Sequence, residues 1–417
     1  MSSIKNRLIL MNFLQFFIWG SWLITIGAYW FQTKHWSGAE FGAIFSTMGI
    51  ASLFMPAIAG IIADRWINAE KLYGALHVMG AVLMFMIPLV DDPSTMFWVM
   101  LVAMMFYMPT ISLSITIAYS SMSREKLNVI KEYPPIRVWG TIGFIVALWV
   151  VSLSGFEVSA GQFYVASASS LLLGIYGFSL PACPPLAKGH KKTWVDAMGL
   201  NAFSLFKQGK MVVFFLFAML LGAALQLTNA YGDTFLHDFA KIDAYKDLLA
   251  VKFPAIIMSV SQISETLFIL TIPFFLRRFG IKKVMIFSMI AWVLRFGLFA
   301  YGNPADGLWM IIASCIIYGM AFDFFNISGS LFVETQSEPR IRASAQGLFM
   351  MMTNGLGSLL GSRLSGILID KYFKTGDEFA WKEIWLSFAA YSFVVVILFM
   401  IVFRHKHNPK EIENFHH

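Results

Sequence analysis

Four stretches of this sequence place polar side chains at helical spacing inside otherwise apolar runs. Arg137, Thr141 and Phe144 fall at i, i+4 and i+7, so on a helix they share one face. Gln226, Asn229 and Asp233 fall at i, i+3 and i+7, and Gln262 and Glu265 at i and i+3. Tyr318 and Phe322 share a face that Asn326 continues, with Asp323 beside them. An ionisable group at membrane depth costs several kcal/mol unless it faces a cavity or a partner. Amides offer donor and acceptor together, a carboxylate accepts hydrogen bonds or takes up a proton, and rings stack. Such a set suits a neutral polyhydroxylated ligand with an aromatic part, bound in a central cavity lined by four helices.

The same residues do not make an enzyme. No histidines cluster with carboxylates, no nucleotide-binding motif is present, and no soluble segment is large enough to hold a catalytic centre. The eight histidines form no ligand set, and Cys183 and Cys315 both lie in apolar sequence. The reading is therefore of no catalytic residue, no metal and no cofactor. Structural roles stay open beside the functional ones. Gln226 and Asn229 could join helices through hydrogen bonds worth about 0.6–2 kcal/mol. Asp323 could carry a proton or could pair with Arg137 or Arg295. Asp233 reads as a rim residue, while Arg295 and Arg363 read as structural or as snorkelling to an interface. Glu265 is the carboxylate hardest to assign to packing. It sits about eleven residues into its run, roughly 16 Å at 1.5 Å per residue, near the membrane midplane.

These faces need long helices to carry them. The chain of 417 residues is 58% hydrophobic and 13% charged, too little charge to wet a globule of this size. Runs of about 20 apolar residues match the hydrocarbon core, and helix satisfies its own backbone groups in lipid. Twelve spans are predicted: 7–31, 40–62, 72–90, 95–120, 134–154, 162–182, 211–235, 254–277, 284–301, 308–333, 342–368 and 383–403. With the N-terminus in the cytoplasm, twenty-one Lys and Arg fall on the cytoplasmic side and seven outside. That asymmetry follows the positive-inside rule, accounts for the net charge of +7 without nucleic acid, and puts both termini inside. The predicted organisation is an N-terminal six-helix half at 1–182, a central cytoplasmic loop at 183–210, a second half at 211–403 and a cytoplasmic tail at 404–417. Gly357 and Gly361 have the GxxxG spacing that lets helices approach closely.

The loop after the second span reads Gly60-Ile-Ile-Ala-Asp64-Arg65, and the one after the eighth reads Arg277-Arg278-Phe279-Gly280-Ile281-Lys282-Lys283. They resemble the two copies of the major facilitator superfamily loop motif. Ile67 stands where that motif has its second Gly, and Arg277 where the second copy has Asp. The resemblance implies an all-α membrane protein of twelve transmembrane helices in two six-helix halves, with Asp64 and Arg65 as a conformational latch.

Longer stretches narrow the resemblance. Gln15 to Trp22, Pro134 to Phe144, Gln262 to Pro273, Phe322 to Ser330, Arg342 to Gln346 and Thr353-Asn354-Gly355 are similar to the bacterial nucleoside:proton symporters of that superfamily. By that resemblance Arg137, Thr141, Phe144, Gln226, Asn229, Gln262, Glu265, Tyr318 and Phe322 bind nucleoside, and Glu265 or Asp323 couples the proton. It implies a proton-coupled nucleoside importer of the bacterial inner membrane working by alternating access. Its partners are nucleosides, protons and the lipid bilayer, with no nucleic acid, and a monomer is expected. A sugar or oligosaccharide:proton symporter on the same fold is the alternative within transport. A membrane-embedded enzyme or receptor is the alternative from another class.

Overall fold

The computed structural model describes residues 2–185, 200–338, 341–376 and 378–405. The chain divides into two compact units, Met1–Met198 and Gly199–His417. The fold is helical throughout. The one exception among the described residues is a short antiparallel hairpin, Lys374–Thr375 against Glu378–Phe379.

The first unit opens with α1 (Ser2–Gly20), whose path continues past a turn into a π-helical stretch at Tyr29–Thr33. Next come α2 (Gly38–Arg65), α3 (Ala69–Met86), α4 (Pro93–Arg124), α5 (Val129–Leu153) and α6 (Gly161–Gly177). Local chemistry sets several starts. Ser37 and Glu40 form a reciprocal capping box at the head of α2. Asp92 caps α4, accepting from the Thr95 backbone N–H and hydroxyl at 2.7 Å each, and Pro93 follows at the position that needs no N–H donor. The Thr95 hydroxyl above all, with the backbone N–H, holds the Asp92 carboxyl below its usual range.

The second unit begins with a 3₁₀ helix at Leu200–Lys207, within the expected central loop; residues 186–199 of that loop lie outside the described residues. It continues with α7 (Gly209–Asp238) and then a single helical run, Pro254–Tyr301. Gly280 breaks this run with φ +79°, a left-handed conformation that costs glycine little. The break separates α8 (254–279) from α9 (281–301), so one residue replaces the loop expected there. Helix α10 is Leu308–Gln336. Helix α11 is built of Arg342–Met350 and Ser358–Tyr372 around a π-helical turn, Met351–Gly357. Helix α12 is Trp381–Val402. Eight helices of the described residues are long and apolar enough to cross a membrane. The remaining expected spans fall on shorter or interrupted helices. With these helices the chain is a multi-pass membrane protein.

Within each unit the first and fifth helices pair in the same way, α1 on α5 and α7 on α11. In the first unit α2 and α3 also pack on α4, and α3 on α6; in the second, α10 and α12 pack on the α8–α9 run. The paired seams are lined by glycine. A Cβ on Gly20 would sit 2.5 Å from the Phe144 carbonyl oxygen, and one on Gly143 would overlap the Phe13 carbonyl. In the second unit a Cβ on Gly222 would overlap the Thr353 carbonyl. One on Gly357 would lie 2.5 Å from the Met219 carbonyl, and one on Gly361 2.7 Å from Ala223 Cα. Such backbone contact is how helices associate where no hydrophobic effect drives them together.

Candidate functional site

In the second unit, α7, α8 and α10 carry the predicted polar faces. Gln226 and Asn229 are half-buried on α7, and Gln262 and Glu265 half-buried on α8. Asp323 is buried, at 5% exposure, on α10. Gln226 Oε1, Gln262 Oε1 and Asp323 Oδ2 are shielded acceptors without a hydrogen-bond partner. A buried polar atom left unpaired costs about 1–3 kcal/mol. Glu265, Asp323 and Tyr318 act on one another electrostatically, so α8 and α10 bring the two carboxylates and the phenol into one neighbourhood.

The rings of α10 form a platform. Tyr318 and Phe322 stack with centroids 5.8 Å apart and planes 5° from parallel, and Trp292 of α9 meets Tyr318 edge-on at 6.0 Å. A hollow of about 20 Å³, room for one water-sized molecule, is lined by Leu225, Trp292, Phe322, Asn326, Thr353 and Asn354 among others. Asn354 reaches it from the π-helical turn of α11. Its amide has only a weak contact, 3.7 Å to Met350 Sδ. Turns of this kind recur at functional sites, and this one carries the Thr353-Asn354-Gly355 stretch.

Asp233 departs from its rim reading, and Arg295 takes the structural one of its two alternatives. Asp233 is not at a rim: it is wholly buried on α7, with His237 Nε2 3.5 Å from Oδ2. Arg295 does not snorkel, being wholly buried on α9. It donates to the Ser314 carbonyl at 2.6 Å and to the Thr228 and Ser261 hydroxyls at 3.3 and 3.5 Å. Its guanidinium lies 4.7 Å from the Tyr318 centroid and 5.1 Å from that of Phe299.

In the first unit, α5 presents the other predicted residues. Half-buried Arg137 lies over the Phe16 ring of α1 at 4.0 Å, and Gly140 leaves room for it, since a Cβ there would be 2.6 Å from Arg137 Nη1. Thr141 is half-buried and Phe144 is 7% exposed, where its carbonyl meets Gly20. Asp64 and Arg65 end α2, both half-buried.

One network in this unit has no counterpart in the sequence reading. Gln15 Oε1 accepts from the Tyr73 hydroxyl at 2.7 Å and lies 2.9 Å from His77 Nε2. Gln15 Nε2 donates to Thr110 Oγ1 at 2.8 Å, and the Tyr107 hydroxyl donates to the Gln15 carbonyl at 2.7 Å. An amide oxygen only accepts, so the His77 proton resides on Nε2. Ser170 closes the set by donating to the His77 carbonyl at 2.8 Å. The signal was available: His77 is an ionisable residue in the middle of an apolar span.

The family model described as "Nucleoside H+ symporter" matches residues 1–408. The xanthosine permease of Escherichia coli is 51% identical over 99% of both chains. The nucleoside permease NupG of the same organism is 50% identical over 97% of both. A crystal structure of the nucleoside transporter NupG (D323A mutant) superposes with a TM-score of 0.93, covering 96% of this chain and all of that one at 50% identity. These relatives are transporters rather than enzymes. By family model, by identity along nearly its whole length and by fold, this chain belongs to the nucleoside H+ symporter family.

Proposed function

We infer that this protein is a proton-coupled nucleoside importer of the bacterial inner membrane, working by alternating access with both termini in the cytoplasm. The observation that carries the reading is the set of three buried acceptors without protein partners, Gln226 Oε1, Gln262 Oε1 and Asp323 Oδ2, in the unit that also bears the Tyr318–Phe322 stack. Hydroxyls and ring N–H groups of a nucleoside supply the missing donors, and its base supplies a face for the rings. In this reading Gln226, Asn229 and Gln262 pair with the nucleoside, Tyr318 and Phe322 stack on it, and Glu265 and Asp323 share the coupling proton. Arg137, Thr141 and Phe144 contribute from the first unit, with Arg137 donating to the base edge. Asp64 and Arg65 latch the cytoplasmic end of α2 in one conformational state, and the working unit is a monomer.

The energetics permit this. A proton entering through about 100 mV supplies roughly 2.3 kcal/mol, which supports about fortyfold accumulation at 1.4 kcal/mol per decade. The test is uptake of labelled uridine and adenosine by proteoliposomes, with and without an inward proton gradient. Gradient-driven accumulation of nucleoside that sugars do not inhibit is the expected result. Competition by sugars, with no nucleoside uptake, would move the protein to the sugar or oligosaccharide symporter reading.

A further inference from the structure

Arg295 is a cation in the membrane-spanning part of the second unit, and no carboxylate pairs with it among the described residues. A charge at this depth is retained where it performs a task. Its contacts fall beside site residues on three helices. Thr228 precedes Asn229 on α7, Ser261 precedes Gln262 on α8, and Ser314 lies one turn before Tyr318 on α10. The backbone is held as well, since the Ser314 hydroxyl donates to the Arg295 carbonyl at 2.9 Å. The guanidinium also rests on the Tyr318 ring, and the Tyr318 hydroxyl is within electrostatic reach of Glu265 and Asp323.

We propose that Arg295 is a positioning residue for the coupling step, acting through Tyr318. It ties α7, α8 and α10, the helices that carry Asn229, Gln262, Glu265 and Asp323, at one point and holds the Tyr318 ring. A cation against the ring makes the phenol a stronger donor, and a stronger donor favours the ionised form of a neighbouring carboxylate. Other titratable groups lie on the helices around it. Cys315 of α10 lies beside the guanidinium, and α7 offers Asp233 paired with His237 and Tyr231 bonded to Ser365. From α12, Lys382 lies over Tyr301, Glu383 sits in the same first turn, and Tyr391 donates to the Leu220 carbonyl.

This inference rests on the proton-coupled reading, and the experiment separates the two. The parent, Arg295→Lys, Arg295→Met and Tyr318→Phe are each reconstituted in proteoliposomes. Gradient-driven uridine accumulation, gradient-free exchange of labelled for unlabelled uridine, and the pH profile of uptake are measured. If the parent does not accumulate uridine, the coupled reading falls, whatever the variants do. If it does, Arg295→Met is expected to retain exchange within about threefold and to lose most of the roughly fortyfold accumulation. Its uptake profile should move to higher pH by about one unit, tenfold in proton concentration. Arg295→Lys restores coupling in part, and Tyr318→Phe reproduces the displaced profile. Parent-like accumulation and profile in Arg295→Met overturns the proposal. So does loss of exchange and accumulation together in both Arg295 variants, which marks the residue as structural only. Should Arg295→Met not fold, an unmoved profile in Tyr318→Phe overturns it.

Discussion

Replacing Gln226 by Ala separates binding from packing, because the two roles push stability in opposite directions. Gln226 Oε1 is buried and unpaired, so the ligand-free protein carries a penalty of about 1–3 kcal/mol that truncation removes. Truncation also deletes one buried methylene, about 0.8 kcal/mol. The net expectation for ligand-free Gln226→Ala is stability from about unchanged to about 2 kcal/mol higher. Nucleoside affinity should fall by the hydrogen bond lost, again about 1–3 kcal/mol, or about 5- to 140-fold at 1.4 kcal/mol per decade. Purified protein in detergent is melted with and without uridine, and uridine binding is titrated calorimetrically. A variant that melts lower than the parent without ligand and binds uridine equally well would show that the amide joins helices, and the argument from unpaired acceptors would fail.

Glu265→Gln should abolish accumulation driven by a pH gradient while keeping some exchange; if it still accumulates and Asp323→Asn does not, the proton belongs to Asp323 alone. Phe144→Ala should weaken binding by about 1–3 kcal/mol, the scale of base stacking, in an equilibrium binding assay. In the same assay an unaltered Phe144→Leu would show that bulk matters there and not the ring. Cysteines at positions 190 and 305 should react with an impermeant reagent from opposite sides of the membrane, and labelling from one side would overturn the proposed topology.

Hydropathy made the helices legible, because lipid leaves the chain few other backbone solutions. The polar faces were legible for the same reason: a glutamine or glutamate in an apolar run stands out. What escaped was anything decided by a partner distant in sequence. Arg295 has apolar neighbours in the chain, just as a snorkelling arginine does, and its partners Thr228, Ser261 and Ser314 lie on three other helices. His77 stands out as ionisable in an apolar span, but its partner does not, because the amide that holds it belongs to Gln15 on another helix. Asp233 was judged by its distance from the end of its span, which says nothing about the neighbours that bury it. Between 277 and 284 the basic residues suggested a solvated loop. A single residue with φ +79° turns the chain there instead, and only glycine's freedom at Gly280 hints at that in the sequence.

That joint and the glycine seams together define how each half can deform. Where backbones touch with no side chains between them, as along α1–α5 and α7–α11, sliding would drive carbonyls into Cα atoms, so each pair behaves as one stiff girder. Where α8 meets α9, one residue leaves no slack for either to advance along its axis independently. It leaves only rotation about two torsions, those of Gly280. The second half is thus a linkage with a girder and a pivot, and α8 with its Glu265 is an arm on that pivot. Lengthening the joint by a few flexible residues would remove that constraint and leave α8 tied to α9 through contacts such as Arg295–Ser261.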